Sequence, residues 1–149
     1  MSRKPTKVQR LVRLNAFREE RADDALRLAV KQQDQAREEH ATAQSDVESI
    51  GQWKTPVHAD TPIDLAAYDQ ALELERRAME KADVLRQRLS VRERSTEQAR
   101  KDLSRAVSAA RVSNHRRRRE VERSNAEEEK RAFDEVSDVW LNNRKPAHE

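Results

Sequence analysis

The sequence predicts an all-α chain: a long antiparallel two-helix coiled-coil hairpin whose second helix is longer than its first. Three observations predict it. Charged residues make up 40% of the 149 positions and apolar residues only 35%, with aromatics at 3%. A compact domain of this size needs roughly 45–50% apolar residues. Glycine occurs once, at Gly51, too rarely for the turns of a sandwich, a barrel or a phosphate-cradling loop. Apolar positions recur at coiled-coil spacing on both sides of a single interruption between Ile50 and Ile63, and this separates the chain from charge-rich disorder.

The first helix is expected over about residues 5–53, starting at Pro5. Steps of seven give Val8, Asn15, Ala22, Ala29, Ala36, Ala43 and Ile50, with Asn15 the one polar member. The companion positions are weaker. Leu11 and Ala25 are interrupted by Arg18, Gln32, Glu39 and Asp46, and Leu26 and Val47 partly replace them from the next position.

The loop is expected over about 54–61, where Pro56 and, just beyond, Pro62 stop helical propagation. The second helix is expected over about 62–141, with Thr61 as N-cap, Pro62 in the first position and Asp64 favouring the positive helix end. Its seam begins as Leu65, Leu72 and Met79. It then shifts to Ala82, Leu85, Leu89, Arg92, Thr96, Ala99, Leu103, Ala106 and Ala110. Asn142, Asn143 and Pro146 mark the stop, followed by a short disordered tail. At 1.5 Å per residue the helices would be about 75 Å and 120 Å long.

A short loop makes the helices antiparallel neighbours. Facing residue numbers that total about 115 would pair Ile50 with Leu65, Val47 with Tyr68, Ala43 with Leu72, Ala36 with Met79 and Leu26 with Leu89. This register exhausts the first helix near residue 110 and leaves about 111–141 without a partner. That stretch carries Val121, Ala132, Phe133, Val136, Val139 and Trp140, and apolar residues on an unpaired helix point to another protein.

No catalytic constellation is present, so the chain is expected to be no enzyme and to hold no cofactor. His40, His58, His115 and His148 lack metal-ligand spacing, there is no cysteine, and one glycine admits neither a nucleophile elbow nor a P-loop. No apolar run approaches the ~20 residues of a membrane span, and the basic start lacks the apolar core of a secretory signal. A soluble intracellular chain is expected.

Charge placement is more informative than the net charge of +3. Residues 1–14 hold Arg3, Lys4, Lys7, Arg10 and Arg13 and no acid, and Arg116, Arg117, Arg118 and Arg119 run together, with Arg123 close by. Residues 45–75 carry seven acids against Lys54 alone. A hairpin so charged has a basic end bearing both termini and an acidic loop end, each suited to a different partner. Four consecutive arginines spread around a helix, without aromatics for base stacking, so nucleic acid is not the expected partner.

The chain resembles the type III secretion central-stalk proteins of the YscO group and their flagellar relatives of the FliJ group. The resemblance covers nearly all of it. It rests on the length, the basic start running into KVQRLVRLNAFREERADDALRLA, the alanine heptads, the break around GQWKTPVHADTPID and the charged tail EEEKRAFDEVSDVW. It implies a non-enzymatic helical hairpin at the cytoplasmic face of the bacterial inner membrane. Such a hairpin places its two-terminus end in the pore of a hexameric secretion ATPase and its loop end toward the membrane export gate. Some members also bind secretion chaperones.

On this reading Lys7, Arg10, Arg13, Arg116–Arg119, Val136, Val139 and Trp140 meet the ATPase, and Trp53, Tyr68 and Leu72 meet the gate. The free chain is expected to be a monomer without direct membrane insertion. Whether the system is an injectisome of virulence or symbiosis or a flagellum, and whether the protein is itself exported, stays open. The alternatives are a generic structural coiled-coil scaffold and, third, a nucleic-acid-binding coiled coil.

Overall fold

The computed structural model describes residues 5–54, 62 and 64–144. Two helices account for nearly all of them: α1, Lys7–Lys54, and α2, Leu65–Asn143, which pack against each other as an antiparallel hairpin. No strand occurs among the described residues. Packing divides the chain into two compact units, Met1–Glu19 with Arg105–Glu149 and Glu20–Ser104.

Both helix starts are capped by side chains. Thr6 precedes α1. Its Oγ1 accepts from the Gln9 amide at 3.2 Å, while Gln9 Oε1 accepts from the Thr6 amide at 3.1 Å. This reciprocal box satisfies two of the amides that a helix start leaves without partners. At α2, Asp64 Oδ1 accepts from the amides of Ala66 and Ala67 at 3.0 and 3.4 Å. The helix therefore starts at Leu65, three residues later than expected, because a carboxylate caps it and also complements the positive helix end. The proposed cap Thr61 lies outside the described residues, as do most of the expected loop and the tail from 145. Lys54, assigned to the loop from sequence, is helical, and Gly51 lies inside α1 without a positive φ.

In the Glu20–Ser104 unit the core is an alanine seam. Ala29, Ala36 and Ala43 on α1 and Ala71 and Leu85 on α2 are buried. The small α1 residues let the backbones approach until a side chain of one helix reaches a carbonyl of the other. Thr96, 2% exposed, donates its hydroxyl toward the Ala29 carbonyl at 3.3 Å and the Arg92 carbonyl at 3.1 Å. The half-buried Arg92 donates to Gln32 Oε1 at 2.8 Å, Arg88 reaches Glu39, and Lys54 pairs with Glu75 near the end of α1.

In the unit built from the chain ends, Asn15 is buried and its amide donates to the Ala109 carbonyl at 3.3 Å. Ala110 and Ser113 are buried beside it, and the Ser113 hydroxyl donates to the Ala110 carbonyl.

These bonds correct the register. Asn15 with Ala109, Thr96 with Ala29 and Arg92 with Gln32 bring together numbers that total about 125, not 115. The difference is a slide of ten residues, about 15 Å along the helix. None of the five pairs expected from sequence is level in this register. Leu89 stands level with Ala36, and Leu26 with Ala99. Large-to-small complementarity admits several registers along an alanine seam. The long-range polar bonds select one, since a buried hydroxyl or amide without a partner costs about 1–3 kcal/mol.

The seam positions change accordingly. On α2 the alternating steps of three and four run unbroken from Ala71 through Glu75, Ala78 and Ala82 to Ala110 and Ser113, all buried or half-buried. No shift occurs at Ala82. Leu65, Leu72 and Met79, read as the opening of the seam, are exposed (74%, 40% and 53%). Small Ala71 and Ala78 and the paired Glu75 face α1 instead. On α1 the companion seam is Val12, Glu19, Leu26, Gln33, His40, Val47 and Lys54, each half-buried, and Arg18, Ala25 and Asp46 are exposed.

Candidate partner-binding surfaces

In the unit of the chain ends, the register sets residues 7–18 level with about 107–118. The chain from residue 5 to 18 contains no acid, and neither does α2 from 103 to 119. Ten cations fall in these two stretches: Lys7, Arg10, Arg13, Arg18, Arg105, Arg111 and Arg116–Arg119. Val8 shares a groove with Arg116, Arg119 and Arg123, while Thr6 and Gln9 line another with Arg117 and Arg118. The fold thus brings the two basic clusters named from sequence together. At about 100° per residue the four consecutive arginines point to every side of α2, so the charge forms a belt around the pair. Among the described residues Lys7, Arg10, Arg13 and Arg116–Arg119 enter no ion pair.

Beyond Ser113 every described residue of α2 except Ser137 is exposed. The seam phase continues into this extension as Arg117, Glu120, Ser124, Glu127, Arg131 and Asp134, all polar. Up to Asp138 the phase therefore carries nothing that another length of α1 would bury, and only Leu141, near the end of α2, is apolar in it. The other apolar residues of the extension take a different phase. Phe133, Val136 and Trp140 follow at three and four, with Val139 adjoining, and they are 71%, 69%, 56% and 61% exposed. The guanidinium of Arg144 lies 4.5 Å from the Trp140 ring centroid, a geometry that draws cation to ring face.

In the Glu20–Ser104 unit the three tip residues named from sequence are exposed: Trp53 at 68%, Tyr68 at 39% and Leu72 at 40%. They do not form one surface. Trp53 follows Gln35 by eighteen residues, five full turns, so it shares the flank on which Gln35 lines a groove with Lys81 and Arg88. Leu72 precedes Lys81 by nine residues, two and a half turns, and so stands on the opposite flank. Tyr68 and Leu72 belong instead with Leu65 and Met79. The sequence offers Tyr68 and Leu72 as surface but places Leu65, Leu72 and Met79 in the seam, so only the structure shows the four as one exposed stripe.

The acidity of the tip is partly neutralised by local pairing. Glu73 accepts from Arg76 and Arg77 at 2.8 to 3.0 Å. Those hydrogen bonds, the Arg76 one foremost, hold its carboxyl at about 2, well below the usual carboxylate range. Arg76 also pairs with Glu80.

No group of three or more acidic, histidine or cysteine side chains that could hold a metal ion occurs among the described residues. Nor is any described helix long and apolar enough to cross a membrane. Comparison with protein-family models, curated proteins and solved structures finds no match for this chain.

Proposed function

We propose that this chain is a non-enzymatic stalk of a bacterial type III secretion or flagellar export apparatus, coupling a hexameric ATPase to the export gate. The observation that carries the reading is the joining of two features in one unit. A belt of ten cations with no acid among them continues directly into a helix whose apolar side chains have no intramolecular partner. A side chain inside a symmetric ring cannot match every subunit at once. Charge acting over about 8–10 Å tolerates that mismatch better than close apolar packing does. The belt therefore guides insertion, and Val136, Val139 and Trp140 anchor it.

At the other helix ends, Tyr68 and Leu72, with Leu65 beside them, form the face offered to the gate, and Trp53 offers a separate one. Secretion chaperones are further candidate partners. The site of action on this reading is the bacterial cytoplasm beneath the inner-membrane apparatus.

The test is co-purification with the secretion ATPase and an ATPase assay with and without this chain. Stimulation that is lost on removing residues 125–149 supports the reading. Replacing Arg116–Arg119 by Ala weakens binding most at low salt, where charges are least screened. Full stimulation by the truncated chain places the contact elsewhere. No association with the ATPase leaves a structural coiled-coil scaffold as the better description.

A further inference from the structure

Besides the seam that faces α1, α2 carries a second stripe in steps of three and four, with two successive steps of four before Phe133. It opens with Arg111, His115 and Arg118, continues through Glu122 and Glu129, and closes with Phe133, Val136 and Trp140. All of these side chains are exposed, and all belong to the unit of the chain ends. The stripe is basic at one end, acidic in the middle and apolar at the other end. Residues 120–141 hold eight acids against three bases, directly after a stretch, 103–119, that holds none.

Two extensions laid side by side in parallel would set like charge against like. Laid antiparallel, with facing numbers that total about 240, they set Arg118 opposite Glu122 and Arg111 opposite Glu129, each pair occurring twice. The same register lays Phe133 against the level of the half-buried Val107. We infer that this stripe is a self-association surface whose occupant is a second copy of the chain, with the two α2 extensions packed antiparallel about a two-fold axis near Glu120.

This departs from the monomeric free chain expected from the sequence. The dimer occupies the same side chains that the proposed ATPase contact uses, so the two are mutually exclusive. On that reading, which this last step alone requires, the dimer is the reserve form that the ring takes apart. The dimer itself stands or falls independently of the ATPase.

The experiment is sedimentation equilibrium of the full chain across a concentration series at low and high salt. It predicts reversible dimerisation that weakens as salt rises. Arg118→Glu should weaken the dimer about tenfold, since two attractive contacts become repulsive. Adding Glu122→Arg should restore it, a rescue that general loss of structure would not allow.

The absence of native cysteine makes the orientation readable. On oxidation, an equal mixture of the Arg118→Cys and Glu122→Cys chains should cross-link one variant to the other in preference to like with like. A chain that stays monomeric throughout the series overturns the inference. So does a dimer indifferent to Arg118→Glu, and so does preferential like-with-like linkage, which marks a parallel pair. A chain that dimerises in this way but fails to bind the ATPase even at concentrations where it is monomeric would overturn the proposed function and leave this surface standing.

Discussion

The paired stretch of α2, Ala71 to Ser113, and the extension that follows it share helix type, charge density and an unbroken backbone, yet they use their side chains in opposite ways. In the first, alanines, Leu85 and the hydrogen-bonded Thr96 and Ser113 are hidden against α1, whose own buried Asn15 reaches the Ala109 carbonyl. In the second, Phe133, Val136 and Trp140 are larger and more apolar than most of the core but stay in solvent. Apolar character therefore does not tell where this chain is held together. Small side chains at constant phase, which let two backbones approach, mark the intramolecular contact. Large ones out of that phase mark surface left for something else.

One substitution on each side tests the contrast most severely. Leu85→Asp sets a charge against the alanine seam and should cost about 3–5 kcal/mol, whereas Val136→Asp, measured at low protein concentration, should change stability by no more than about 0.5 kcal/mol. Thermal or urea unfolding followed by circular dichroism decides, and equal effects would erase the distinction. Next in size is Thr96→Val. Removing the hydroxyl that reaches the Ala29 carbonyl should cost about 1 kcal/mol by urea midpoint, while Ser124→Val on the extension should be near neutral.

Smaller, and of opposite sign, is Gly51→Ala. Gly51 is helical, and an added Cβ would meet the Glu75 carboxylate at 3.9 Å, an ordinary contact. Relief of the glycine helix penalty should stabilise the chain by about 0.5–1 kcal/mol, read as a raised melting temperature.

The least effect belongs to Glu73. Its folded-state pKa of about 2 lies below the ordinary 4.5, so whatever its arginine partners contribute is present above pH 4.5 and disappears as pH falls toward 2. The Glu73→Gln chain should lack that component of the acid titration. Identical profiles for both chains would show that this surface network adds nothing measurable.

How much of this was legible in sequence differs by level. The two helices and their break followed from heptads and prolines. The basic belt followed from charge runs that any antiparallel pairing with a short loop would bring near one another. The Thr6–Gln9 box was also legible, as a threonine with glutamine three residues on, directly after Pro5. Leu65, Leu72 and Met79 misled. They are large apolar residues seven apart, and hydrophobicity ranks them above Ala71 and Ala78, which in fact face α1. That ranking also produced a register wrong by ten residues and grouped Trp53 with Leu72 although they stand on opposite flanks.

By itself, then, the sequence determined what is local: helix, break, caps and the order of charges along each helix. These depend on residues within a turn or a heptad of one another. Only the tertiary structure decided the register, the identity of the seam and the phase of the exposed stripes. Sliding one alanine-lined helix along another alters neither helix's internal hydrogen bonds nor its periodicity. The choice falls to a few distant partners, Thr96 with Ala29, Asn15 with Ala109 and Lys54 with Glu75, whose match appears only when the helices lie side by side.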